Sequence, residues 1–286
     1  MNIFFSTNIP EMRSIFLFNR MSSDISEIVR RLETGQRILT GKDDPAGLIL
    51  REVMRTDIRG IQAAQKNTMM SNELLSSADG GLANISQMLL GDINKRDDTG
   101  LLGLIYDDTL PTDMKMQQVN DILAMINSTI QTTTYNGKKL LDGSMVDVVF
   151  QLGKDVQDSM QYRMSLPSMT VSHLGGASGT LEDLRTIDLN TDAGKAQAYA
   201  IINEAVNMVA TQRGTIGAVQ KHVLESNAKN LDIQLEKVSE AEGLISNVDM
   251  ALETSRLNRA EILAQSAMSA ILYSRSFGQF ILNALL

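Results

Sequence analysis

Both ends of the chain carry a heptad-like apolar pattern, and neither end holds a complete core of its own. Near the amino terminus large apolar residues recur at alternating steps of three and four, at Phe18, Met21, Ile25, Ile28 and Leu32. A similar alternation near the carboxyl terminus runs through Ala241, Ile245, Val248, Leu252, Ser255, Arg259 and Ile262. These steps are typical of the a and d positions of a coiled coil, which needs a partner helix. We therefore expect the chain to double back so that its terminal helices pair.

The predicted fold is mainly α, with long antiparallel helices forming a coiled coil or helical bundle and one small β-hairpin. Pro45 follows a good N-cap residue and predicts a helix from residue 46 to about 95, and a further helix is predicted over 112–132. Alternating residues near 145–166 predict the hairpin. The predicted domains are an inner coiled coil built from residues 1–45 and 245–286, and an outer helical bundle over residues 46–244.

Composition narrows the function classes. Aromatic residues make up 4% of the chain and Trp is absent, which favours thin helix seams over a thick core. Cysteine is absent, so disulfides and Cys-ligated metals are excluded. The net charge of −8 argues against a nucleic-acid partner. The sequence shows neither a secretory signal pattern nor an apolar run of membrane-spanning length, so we expect no membrane partner and no cleaved signal peptide.

Candidate catalytic and ligand sites have simpler structural interpretations. Asp43 and Asp44 could act as paired carboxylates, but helix capping and a salt bridge with Arg37 or Lys42 explain them better. The spacing from Gly35 to Lys42 does not match a phosphate loop. The chain has only two histidines. We therefore predict no catalytic residues, no cofactor, no metal and no enzymatic activity.

Residues 31–47, RLETGQRILTGKDDPAG, closely resemble the RLSSGLRINSAKDDAAG signature of bacterial flagellins. Further similar motifs follow in the family's order: IRGIQAA at 58–64, YNGKKLL at 135–141, IGAVQ at 216–220, DMALE at 249–253 and LNRAEIL at 257–263. The last residues, 274–286, depart from the family pattern, as do residues 94–98. These departures suggest an accessory or divergent member.

The resemblance implies a structural subunit that polymerises into the flagellar filament for motility. It implies self-association, export to the outside of the cell, and a flagellar cap, junction proteins and an export chaperone as partners. The expected assembly interface comprises Phe18, Met21, Ile25, Ile28 and Leu32, with Leu252, Ile262, Ile271 and Ile281 opposite. The residues of the loop signature are Arg31, Gly35, Arg37, Asp43 and Asp44.

Three alternatives remain open from the sequence. A hook–filament junction protein is similarly helical and shares a motif close to residues 34–45. A soluble coiled-coil binding module would form an ordered monomer or small oligomer. An enzyme is the weakest of the three.

Overall fold

The computed structural model describes residues 9–91, 100–107, 109–155, 157 and 160–285, with only the backbone at residues 10 and 277–285. Its α-helices are α1 (Ile9–Thr34), α2 (Pro45–Leu90), α3 (Leu101–Tyr106), α4 (Thr112–Thr132), α5 (Asp192–Ala218), α6 (Glu225–Ser246) and α7 (Met250–Leu285). A π-helical segment, Val219–Leu224, joins α5 to α6, and a 3-10 helix spans Leu181–Arg185. The predicted mainly α fold class is confirmed.

The strands of the described chain are short and pair as antiparallel hairpins: β1 (Thr134–Tyr135) with β2 (Lys138–Lys139), β3 (Val148–Gln151) with β4 (Gln161–Met164), and β5 (Gly175–Gly176) with β6 (Gly179–Thr180). The β3–β4 pair is the predicted hairpin, with Phe150 opposite Tyr162. The turn between β1 and β2 holds Asn136 at φ 50° and Gly137 at φ 77°. Positive φ at both central residues is what an Asn-Gly hairpin turn requires.

Contacts divide the chain into two units. Unit 1 comprises Met1–Ile58 and Glu236–Leu286, and unit 2 comprises Arg59–Leu235. The sequence placed these boundaries at residues 45 and 244. Polar contacts join the first turns of α2 to the preceding loop and to the last turns of α6 within unit 1. Arg51 donates through Nη1 to the carbonyl of Ile38, and Arg55 Nε lies 3.0 Å from Glu242 Oε1.

Unit 2 has a continuous apolar core. The residues that α2 contributes recur at helical spacing and are fully buried: Leu75, Leu82, Ile85 and Leu89. The same core holds Val119, Leu123, Ile126 and Ile130 from α4, and Ala198, Ile202, Ala205 and Val209 from α5. Residues 174–193 include β5, β6 and the 3-10 helix. Leu174 and Leu181 are buried there, so this connection packs onto the core.

Candidate assembly interface

The terminal helices α1 and α7 pack antiparallel along their length. Two ion pairs join the helices at opposite ends of the described contact. Arg31 Nη1 lies 3.4 Å from Glu253 Oε1, and Arg275 Nε lies 2.7 Å from Glu11 Oε1. From the first pair to the second, the contact moves back 20 residues along α1 and forward 22 residues along α7, so the register of the two helices differs by only two residues between these pairs.

The α1 side of this seam is the one expected from the heptad pattern. Met21 is buried, and the other residues of the pattern are half-buried: Phe18, Ile25, Ile28 and Leu32. Their side chains sit along one face of the helix because steps of three and four stay within one side of a 3.6-residue turn. The part each of them plays in contacts between copies stays a prediction.

The α7 side of the seam differs from the expected one. Its buried residues are Glu253, Ala260, Ala264, Ala267 and Ile271. Leu252 and Ile262 were expected opposite α1, but their side chains are 51% and 63% exposed. At 100° per residue, Ile262 falls about half a turn from the seam. Ile271 lies in the seam, while the side chain of Ile281 falls outside the described residues.

The expected list therefore combined two different faces of α7. The observed seam also follows steps of four, three and four from Ala260 to Ile271, so the signal was present in the sequence. It was missed because alanine is small and because the seam begins with a carboxylate, Glu253. Sequence reasoning favoured the larger apolar side chains of the outward face instead.

Glu253 is 2% exposed and lies in a cluster of charges at the start of the seam. Arg31 contacts it from α1, and Arg256 Nη1 lies 3.0 Å from its Oε2. Arg31 also lies 2.6 Å from Glu27 Oε1 and 3.8 Å from Asp43 Oδ1. A buried carboxylate needs such partners, since an unpaired buried charge is strongly unfavourable.

The loop between α1 and α2 carries the remaining signature residues. Asp43 Oδ2 accepts hydrogen bonds from the backbone amides of Leu39 (3.0 Å) and Thr40 (2.8 Å) and from the Thr40 hydroxyl (3.1 Å). The bond from the Thr40 amide is the largest cause that holds the pKa of Asp43 below its ordinary value. The cation nearest to Asp43 is Arg31 rather than the expected Arg37 or Lys42. Asp44 caps α2, accepting from the Gly47 amide at 2.9 Å.

The same loop is fastened to the segment between α6 and α7. Gly35 adopts φ +66°, which ends α1 in a left-handed conformation that suits glycine. Its carbonyl accepts from the Val248 amide at 3.0 Å, and the Arg37 amide donates to the Ser246 carbonyl at 2.7 Å. Arg37 Nη2 adds a bond of 3.0 Å to the Ile245 carbonyl. These bonds form a short antiparallel bridge centred on Gln36 and Asn247.

Large apolar side chains remain exposed on the sides of α1 and α7 that face away from the seam. On α1, Ile9, Met12 and Phe16 are 54%, 59% and 77% exposed and share one side of the helix. On α7, Ile262 and Tyr273 share the side opposite the seam. We name the first set the α1 outer face and the second the α7 outer face. Exposed apolar patches of this kind mark surfaces that bind other molecules.

The part of the chain that the structure describes was also considered for metal sites and for membrane-spanning helices. Among those residues no group of three or more His, Cys, Asp or Glu side chains could hold a metal ion. No helix formed by those residues has both the length and the apolar character needed to cross a membrane.

Models of two regions of one family match the chain. The bacterial flagellin N-terminal helical region matches residues 5–145, and the bacterial flagellin C-terminal helical region matches residues 199–285. The chain belongs to the bacterial flagellin family. Both paired helices, α1 and α7, fall within the matched regions of this flagellin.

Curated relatives agree with this assignment over nearly the whole chain. A flagellin of Bacillus subtilis is 28% identical, covering 93% of this chain and 95% of the relative. The flagellar filament 30.7 kDa core protein of Treponema maltophilum is 27% identical, covering 90% of each chain. This flagellin is therefore a structural subunit of the extracellular flagellar filament.

The hook–filament junction alternative is not favoured by these matches. A solved structure from Vibrio parahaemolyticus, assigned to a flagellar hook-associated protein, has a TM-score of 0.57 and 16% sequence identity. It covers 71% of this chain and 99% of that chain. At this level of identity the likeness concerns the fold alone.

Proposed function

We propose that copies of this chain bind one another through the α1 outer face and the α7 outer face, and so build the filament. The supporting observation is the exposure of Phe16 at 77% and of Ile262 at 63% on helices that already bury their other sides against each other. Burying such a side chain contributes roughly 1.5–3 kcal/mol. Repeated along a polymer, these contributions favour assembly.

The placement of the two faces supports an open polymer rather than a closed dimer. They lie on opposite sides of the α1–α7 pair, since each is about half a turn from its helix's seam. A face that binds a different face of the next copy forms a heterologous contact. Such contacts generate helical filaments when the rotation does not close a ring.

The α1 seam contributes indirectly in this proposal. Phe18, Met21, Ile25, Ile28 and Leu32 hold α1 on α7, so both outer faces are presented from one rigid pair. Replacing Ile25 and Ile28 with Asp would place two charges in this seam and separate the helices. We expect that change to abolish assembly while unit 2 stays folded. A matched control replaces the exposed Ser22 and Ser26 with Asp, adding the same charge outside the seam.

We also propose that the chain has a structural rather than a catalytic role, and that it leaves the cell without cleavage of a signal peptide. A flagellar cap, junction proteins and an export chaperone are the proposed partners. Membership of the flagellin family supports each of these points. Mass spectrometry of filament subunits tests the export proposal: peptides that retain residues 2–10 support it, and subunits uniformly lacking that segment contradict it.

Seeded polymerisation tests the assembly proposal. Purified chain is added to short filament seeds, and the products are imaged by electron microscopy. Long uniform tubes growing from the seeds are the expected result. Persistent monomers or small complexes, under conditions in which another flagellin elongates, would contradict the proposal.

A further inference from the structure

The apolar part of the α1–α7 seam specifies its own alignment poorly. On α7 the seam presents Ala260, Ala264 and Ala267 in succession, all at most 8% exposed. A shift of α7 by one heptad would bring Ala260 to the place of Ala267. The large side chains of α1 would then still meet a methyl group, so packing alone penalises the shift weakly.

The first seam position of α7 is charged, and it makes a shifted register unfavourable. Glu253 occupies the seam position seven residues before Ala260, and its side chain is 3% exposed. In the observed register it meets Arg31, which is 21% exposed. In the register midway between those of the two ion pairs, Glu253 lies level with Leu32, and a one-heptad shift would carry it to the level of Ile25. The carboxylate would then be buried among apolar side chains, away from Arg31.

We propose that Arg31 and Glu253 determine the register of α1 against α7, by making the shifted alignments of the alanine seam unfavourable. A buried charge pair suits this role because a register that separates the two charges leaves one of them buried without a partner. That arrangement is strongly unfavourable even where the intact pair adds little net stability. The geometry of Arg31 adds to the selectivity, since Glu27 holds the same guanidinium from within α1 at 2.6 Å. This inference concerns pairing within one chain and stands independently of the proposed contacts between copies.

Engineered disulfides can report the register, because the chain contains no cysteine of its own. The register midway between those of the two ion pairs brings Met21 level with Ala264, so a chain carrying Met21→Cys and Ala264→Cys reports the observed register. Chains carrying Ala264→Cys with Ile28→Cys, or Ala264→Cys with Ser14→Cys, report shifts of one heptad in either direction. A disulfide needs Cα atoms within about 7 Å, so each pair links only near its own register.

The test compares the rates of intrachain linking in these full-length chains with and without Arg31→Leu and Glu253→Leu together. We expect the parent to link the observed-register pair faster than either shifted pair by about tenfold or more, and the double leucine variant to lose most of that preference. Glu253→Gln, which keeps the shape of the side chain, should weaken the preference in the same direction. The control is Lys237→Gln with Glu240→Gln, an exposed ion pair within α6, which should leave the preference unchanged.

Two results would overturn the proposal. If the double leucine variant kept the parental preference, the register would be set instead by the Glu11–Arg275 ion pair, the backbone bridge at Gln36 and Asn247, or the apolar packing. If linking of all pairs collapsed together, the charges would be needed for pairing itself rather than for its alignment. Intrachain links run as monomers on a denaturing gel, so links between copies do not enter the comparison.

Discussion

Arg31 and Glu253 are 222 residues apart in sequence, and their side chains meet with 3.4 Å between Nη1 and Oε1. This contact joins the last turn of α1 to the first turn of α7, and Glu253 is almost fully buried where it forms. It sits beside the backbone bridge of Gln36 and Asn247, so the two ends of the chain are fastened together at one place. The paired stretch of α1 and α7, which carries the proposed assembly surfaces, has one of its ends at this contact.

The first prediction concerns the stability of the α1–α7 pair. Arg31→Leu leaves Glu253 buried with only the half-exposed Arg256 as a partner, and should lower the free energy of unfolding of this pair by about 2–4 kcal/mol. Loss of helical circular dichroism on heating or in urea measures it. Lys229→Leu removes an exposed ion pair with Glu225 in α6, and it should lower the free energy of unfolding by less than about 1 kcal/mol. Equal effects of the two changes would contradict this interpretation of Arg31.

The second prediction concerns how the stability contributed by Asp43 depends on pH. Hydrogen bonds from the loop amides lower the pKa of Asp43 in the folded chain, so its ionised form contributes stability above the ordinary value of 3.8. That contribution is lost as the pH falls through the lowered pKa. Asp43→Asn should therefore reduce the melting temperature at neutral pH, and the difference from the parent should shrink towards zero in strong acid. Melting curves across the pH range measure this. A difference that is constant with pH would mean that the charge of Asp43 is not involved.

The third prediction concerns the core of unit 2. Ile126 is fully buried on α4, and its neighbour Met125 is 55% exposed. Ile126→Ala should lower the free energy of unfolding by about 2–5 kcal/mol, because it removes buried methyl groups and leaves a cavity. Met125→Ala changes the adjacent exposed position and should have little effect. Urea titration of both variants measures the contrast, and a comparable loss from Met125→Ala would place α4 differently in the bundle.

Much of the fold could be predicted from local pattern. The α4 helix spans Thr112–Thr132, the range predicted from the sequence. Phe150 and Tyr162 pair in the β3–β4 hairpin because alternation fixes which side chains share a face. The very short pairs β1–β2 and β5–β6 were not predicted as strands, since two residues carry no alternation to detect.

The seam on α7 could not be predicted in the same way. Two faces of α7 show heptad-like spacing, one through Ile262 and one through Ala260 and Ala264. Hydrophobicity favours the first, whereas the structure buries the second, because alanines let the large side chains of α1 approach closely. Burial of Glu253 depends on Arg31 at the other end of the chain. No local pattern contains that information.

The central claim, that the outer faces of the paired terminal helices carry the subunit contacts, is tested most directly by seeded elongation of a face variant. Met12→Asp with Phe16→Asp adds two charges to the α1 outer face, and Met114→Asp with Met125→Asp adds the same charge to exposed positions of α4 in unit 2. We predict that the first variant fails to elongate seeds, while its Met21–Ala264 disulfide reporter still links and unit 2 melts normally. The α4 variant should elongate at a rate near that of the parent. Normal filaments from the Met12 and Phe16 variant would contradict the account.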